Sequence, residues 1–206
     1  LVITDGIFKS KSDYANVSIG ANGTLELSGD ITVSGDWSNS GALTPGNHKV
    51  TLDGTFQTLS GATTFYDLTK NVTFADTLTF TSGSANKTTI TNTLDLQGQS
   101  GKLLSLRSSS DGTQWEIDPQ GTCTISYVDV MDSYNTNSTF INPGTGSNSS
   151  GNNINWAFAG VPTVTTDAAS SIGLTGATLN GTVNDNGRST TVTFEYGMTT
   201  EYGTTV

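Results

Sequence analysis

The strongest constraint on how this chain can fold is a short apolar/polar alternation that keeps returning. Val50-Thr51-Leu52 returns as Val72-Thr73-Phe74, Leu94-Asp95-Leu96 and Trp115-Glu116-Ile117, at steps of 22, 22 and 21 residues. A second series runs from Phe56–Leu59 through Leu78–Phe80 and Leu103–Leu106 to Ile125–Val130. Alternation at period two marks a strand with one buried face, and the Gly, Asp and Asn between the runs mark turns. Two strand series with similar steps predict a chain wound on itself, a β-solenoid whose turns bury apolar residues against one another. On this register Leu52, Phe74, Leu96 and Ile117 form the inward core, whereas Thr51, Thr73 and Asp95 point outward. At roughly 20–25 residues per turn, about seven turns fit before Phe158.

The same reading extends to both ends. Leu1–Ile3, Val17–Ile19, Leu25–Leu27 and Ile31–Val33 are short runs separated by Gly- and Asp-rich turns. Leu1–Ile3 already has the look of a strand, which suggests an interior point of a longer precursor or a processed end. From Tyr134 to Asn155 the chain is polar, and then Ile154-Asn-Trp156-Ala-Phe158 supplies large apolar side chains. Trp156 and Phe158 are therefore expected to cover the last turn. Gly160-Val-Pro162 marks a boundary, giving domains 1–159 and 160–206. Beyond it, Thr163–Thr166, Ala177–Val183 and Thr190–Tyr196 read as longer strands, the last two joined by a tight turn at 184–187. Their inward residues need a facing sheet, which these strands alone cannot form. Either the natural chain continues, or a neighbouring subunit donates a strand; the candidate donor is the apolar segment Leu1, Val2, Ile3, Ile7 and Phe8.

Composition narrows the function classes. Among 206 residues only eight are Lys or Arg, and the net charge is −10. No positive footprint for DNA or RNA exists, so nucleic acid is excluded as a partner. No run of 18 apolar residues is present, so no membrane insertion by a helix is expected. The lone Cys123 forbids an intrachain disulfide and reads as a small buried hydrophobe. His48, also alone, cannot build a zinc site and has no acid partner placed by the sequence.

Carboxylates are the remaining candidates for chemistry. Asp129 and Asp132 fall where a strand and its turn could present both at one edge. Asp95 and Glu116 hold equivalent positions in the 22-residue register, where stacked acids could offer oxygen ligands to Ca²⁺. Without an accompanying basic cluster, both pairs are expected to be solvated surface acids, and no cofactor is implied. The outward row Thr51, Thr73, Asp95, Glu116 is half charged, which argues against an ice-binding threonine face. Seven Asn-x-Ser/Thr sequons, beginning at Asn16 and Asn22, hardly exceed chance in so Asn-, Ser- and Thr-rich a chain.

Several of these segments also carry a resemblance. Gly35-Asp-Trp37-Ser-Asn-Ser-Gly41 and Phe65-Tyr-Asp-Leu68 resemble repeats of large bacterial surface and secreted β-solenoid proteins. Ile125-Ser-Tyr127-Val-Asp129-Val-Met-Asp132-Ser133, with Gly151-Asn-Asn-Ile-Asn155-Trp156-Ala-Phe158, is similar to the closing segment of right-handed parallel β-helices of that kind. Ala177-Thr-Leu-Asn-Gly-Thr-Val183, Phe194-Glu-Tyr196-Gly197 and Tyr202-Gly203 resemble a fibronectin type III-like module, here only partial. The resemblance implies an all-β chain, a right-handed parallel β-helix followed by a partial β-sandwich. It further implies a non-enzymatic, adhesin-like structural protein outside the cell, at the cell surface: a rigid spacer or filament subunit. Expected partners are copies of itself or other surface proteins and glycans. The competing expectation is a β-helix that binds or processes carbohydrate.

Overall fold

A computed structural model of the chain describes residues 1–158, 162–184, 190–197 and 204–205. Two units are present, Leu1–Phe158 and Ala159–Val206. In the first unit the strands are β1 (Val2–Ser10), β2 (Val17–Leu27), β3 (Ile31–Val33), β4 (Trp37–Asn39), β5 (Ala42–Thr44), β6 (Lys49–Leu52), β7 (Gln57–Ser60) and β8 (Thr63–Asn71). They continue as β9 (Asp76–Phe80), β10 (Thr88–Gln97), β11 (Leu104–Ser108), β12 (Trp115–Pro119), β13 (Thr122–Ser126), β14 (Val128–Met131), β15 (Ser133–Asn135) and β16 (Asn148–Gly151).

These strands form two sheets, and every pairing within them is parallel. The first sheet runs β1-β2-β4-β7-β9-β11-β14-β16, with β5 also on β2; the second runs β15-β12-β10-β8-β6-β3, with β13 on β10. From β6 to β12 the chain passes from one sheet to the other with each strand, so a strand pairs with one from the preceding circuit rather than with its sequence neighbour. Parallel pairing requires such crossovers, here made by short polar corners.

Constant spacing is where the sequence reading fails. Thr51 pairs with Thr69, Thr69 with Asp95, and Asp95 with Thr124. The circuits are thus 18, 26 and 29 residues long, so a 22-residue average falls on the wrong partners. Val72-Thr73-Phe74 is not a strand but the corner after β8, and Phe74 is 49% exposed. Its expected place in the inward row falls instead to Lys70, the register partner of Leu96. Leu52, Leu96 and Ile117 are buried, but Ile117 sits beside Thr88 rather than in line with Leu96. Phe56 is likewise corner rather than strand, with φ 51° and its ring in solvent. Alternation alone cannot separate a strand from an extended corner of the same composition.

The corrected register gives consistent inward rows. In the second sheet Ile31, Val50, Leu68, Leu94 and the half-buried Cys123 stand one above another. In the first, Val17, Trp37, Leu59 and Phe80 do the same. Aromatic rings link the sheets: Trp37 lies 5.1 Å from Phe65, and Phe80 stacks on Trp115 at 3.9 Å. The buried apolar residues of both sheets form one cluster, and each fully buried side chain of this size contributes about 1.5–3 kcal/mol.

The second unit contains β17 (Thr163–Ser170) antiparallel to β18 (Thr178–Asn184), and β19 (Glu195–Tyr196) antiparallel to β20 (Thr204–Thr205). Among the described residues β18 pairs with β17, and of the expected strand Thr190–Tyr196 only Glu195–Tyr196 is a strand, paired with β20. The expected turn beyond Asn184, the domain boundary at Gly160-Val161 and the Tyr202-Gly203 motif lie outside the described residues.

Candidate functional site

The polar groups worth examining lie where the chain leaves the ladders. At the corner joining β3 to β4, β6 to β7 and β8 to β9, backbone carbonyls accept side-chain donors from the interior. A buried carbonyl left bare is costly, so side chains must reach it. Gln57, 1% exposed, donates from Nε2 to Val33 O at 2.9 Å and to Gly35 O at 2.6 Å. Lys70, with no exposed surface, donates from Nζ to Gly54 O at 2.7 Å and to Gln57 Oε1 at 2.9 Å. Its charge is answered by Asp76, whose Oδ2 lies 2.8 Å from Nζ with both side chains fully buried. Asp76 Oδ1 accepts from the Phe56 N–H at 2.9 Å and the Thr77 N–H at 2.8 Å.

Burial raises the Asp76 pKa, but Lys70 and the two backbone N–H donors outweigh it and hold the carboxyl below its ordinary value of 3.8. The Lys70 ammonium is the partner of Oδ2, and the two backbone N–H groups are the partners of Oδ1. Lys70, Asp76 and Gln57 therefore form a buried, charged knot beside Leu96, Leu104 and Leu78, whose rows they interrupt. Sequence reading did not single out Lys70. The available signal was its position two residues after Leu68, in the same inward phase of the alternation.

The acids singled out by sequence are arranged differently. Asp129 pairs with the Arg107 guanidinium and accepts from Ser150 Oγ at 2.7 Å, so a basic partner is present after all. Asp132 is not a solvated acid: it is 2% exposed, takes φ 55°, and accepts from Gly112 N at 3.0 Å and Asn152 Nδ2 at 2.6 Å. Its carboxylate closes a corner, which separates it from Asp129. Asp95 and Glu116 do not stack, because Asp95 neighbours Thr124 whereas Glu116 neighbours Tyr134. Asp95 is held by Asn71 Nδ2 at 2.9 Å and Gln97 Nε2 at 2.6 Å. Among the described residues no three His, Cys, Asp or Glu side chains converge as a metal-holding set.

The outward row reads Thr32, Thr51, Thr69, Asp95, Thr124, with one acid instead of two. His48 does have an acid nearby, with Asp30 Oδ1 at 3.8 Å, but that oxygen already caps the Lys49 N–H. Burial pushes the Cys123 thiol pKa up, which keeps it protonated and unreactive.

Both ends of the first unit have a definite arrangement. Trp156 is 8% exposed, packs edge-on against Trp115 at 6.5 Å, and donates from Nε1 to Ser133 Oγ at 3.0 Å; Phe158 stacks on it at 5.8 Å. At the other end β1 is already paired along its length with β2, and Ile3 is buried in the chain's own core. Of the proposed donor segment, Ile3 therefore belongs to the first layer of its own unit. Leu1 also packs partly on the core, whereas Val2, Ile7 and Phe8 remain exposed.

No helix among the described residues is long and apolar enough to cross a membrane. No family model matches this chain, and neither a curated protein nor a solved structure does.

Proposed function

We propose that Leu1–Phe158 is a right-handed parallel β-helix serving as a non-enzymatic structural or adhesive element outside the cell, a rigid spacer or filament subunit at the cell surface. The observation that carries this reading is the unbroken parallel ladder of the first sheet, which continues through eight strands from β1 to β16. At a strand spacing of ~4.8 Å, such a ladder spans roughly 35 Å, with its backbone bonds directed along the stack. Stiffness along one direction is what a spacer needs. The low charge and the Ser-, Thr- and Asn-rich outer rows favour contact with glycans, other surface proteins or further copies of the chain. The second unit fits as a partial β-sandwich, for which the antiparallel β17–β18 pair supplies two strands.

Sedimentation of the purified protein over a range of concentrations, with electron microscopy of the same samples, separates the forms of this function. A constant mass with rod-shaped particles identifies a spacer, and growing fibres identify a filament subunit. A reducing-end assay on acidic and neutral polysaccharides should show no turnover. Turnover would replace the structural reading with carbohydrate processing.

A further inference from the structure

Lys70 and Asp76 present an amine and a carboxyl to each other in the buried interior. The two side chains are fully buried, Nζ lies 2.8 Å from Oδ2, and the corner between β8 and β9 holds both ends in place. Three further features bear on what this pair can do. Asp76 Oδ1 is held by two backbone N–H groups, from Phe56 and Thr77, the arrangement that stabilises negative charge on a carbonyl oxygen during addition. Nζ closes on Oδ2 at 2.8 Å, near enough for a proton to pass between them. Fixed contact between the reactants removes the entropic cost of bringing them together.

We propose that Lys70 and Asp76 are a self-modification site, condensing to an intramolecular amide between Nζ and Cγ. The balance closes without a cofactor or co-reactant. One Nζ proton passes to Oδ2 across the contact, leaving a neutral amine and a neutral acid. The amine lone pair then attacks Cγ, and charge gathers on Oδ1 between its two N–H donors. As the Cγ–Oδ2 bond breaks, a second Nζ proton leaves with that oxygen as water. The N–C bond formed replaces the C–O bond broken, and nothing is oxidised or reduced.

The product suits the site better than the reactants in two respects. Two buried charges disappear with the oxygen that is expelled. Oδ1 keeps both backbone donors as the amide carbonyl. The remaining N–H stays within reach of Gly54 O, and Gln57 Oε1 gives up its donor in exchange. Against the reaction stands the preference of Asp76 for its ionised form, so the step is expected to be slow and to follow folding.

Mass spectrometry of the intact, denatured protein after prolonged incubation in its folded state tests this. The expected mass is one water below that of the sequence. Trypsin should then fail to cut after Lys70 and should release Val50–Lys87 as one peptide carrying the water loss. Lys70→Met should restore the sequence mass. Asp76→Asn should form the same bond with loss of ammonia, recognisable by its own mass. Full sequence mass with normal cleavage after Lys70 overturns the proposal. So does a water loss that leaves Lys70 cleavable or persists in Lys70→Met, because that marks a succinimide elsewhere.

Discussion

Lys70 continues an inward row that contains Leu96, and its charge is tolerated only because three acceptors converge on it. Removing one partner from a buried ion pair usually costs about 3–5 kcal/mol, since the other charge remains unanswered. Asp76→Ala should therefore lower the denaturation midpoint far more than the double change Lys70→Met with Asp76→Ala. The uncondensed pair also makes stability depend on pH. Because the folded Asp76 carboxyl lies below its ordinary 3.8, its contribution is complete above that value and is lost as the pH falls through the lower folded one. Denaturant titrations from neutral to about pH 2 should show this acid loss in the uncondensed chain and not in the amide-linked one. Phenylalanines give a second contrast. Phe65→Ala and Phe80→Ala, at fully buried rings, should each cost about 3–5 kcal/mol, and the exposed Phe74→Ala under about 1. Equal losses at Phe74 and Phe80 would return Phe74 to the core and refute the register.

At the scale of the element, strands were more legible than corners. Val50-Thr51-Leu52 and Leu94-Asp95-Leu96 lie in strands because their alternation is bounded by residues that stop ladders. The corners escaped because their length is set by contacts between circuits, which no local pattern encodes. Gly54 illustrates this: a Cβ there would fall 1.7 Å from Ser34 O, a residue of the preceding circuit. Gly61 meets Asn39 O at the same distance and also takes φ 79°. Both corners are packed backbone on backbone, so Gly54→Ala and Gly61→Ala should each destabilise by more than an ordinary surface substitution, by about 2 kcal/mol or more. Thermal unfolding of the two variants checks this. Melting temperatures unchanged from the parent would show that the corners are not stacked as described. The candidate site was hidden for the same reason, since Gln57, Lys70 and Asp76 meet only once the corners are superposed.

For the whole molecule, the register between circuits decides everything else: which rows are inward, which hydroxyls line the outer face, and whether Lys70 meets Asp76 in the interior. Two sequence-compatible registers compete, one pairing Thr51 with Thr69 and the other pairing Thr51 with Thr73. Disulfide trapping in a Cys123→Ala background separates them, because neighbouring strands of a parallel ladder bring Cα atoms to ~4.8 Å, within disulfide reach. The pair Thr51→Cys with Thr69→Cys should close under mild oxidation in the folded protein, and Thr51→Cys with Thr73→Cys should remain reduced. Efficient closure of the second pair, with none of the first, would contradict the register on which the inward and outer rows and the buried charge pair all depend.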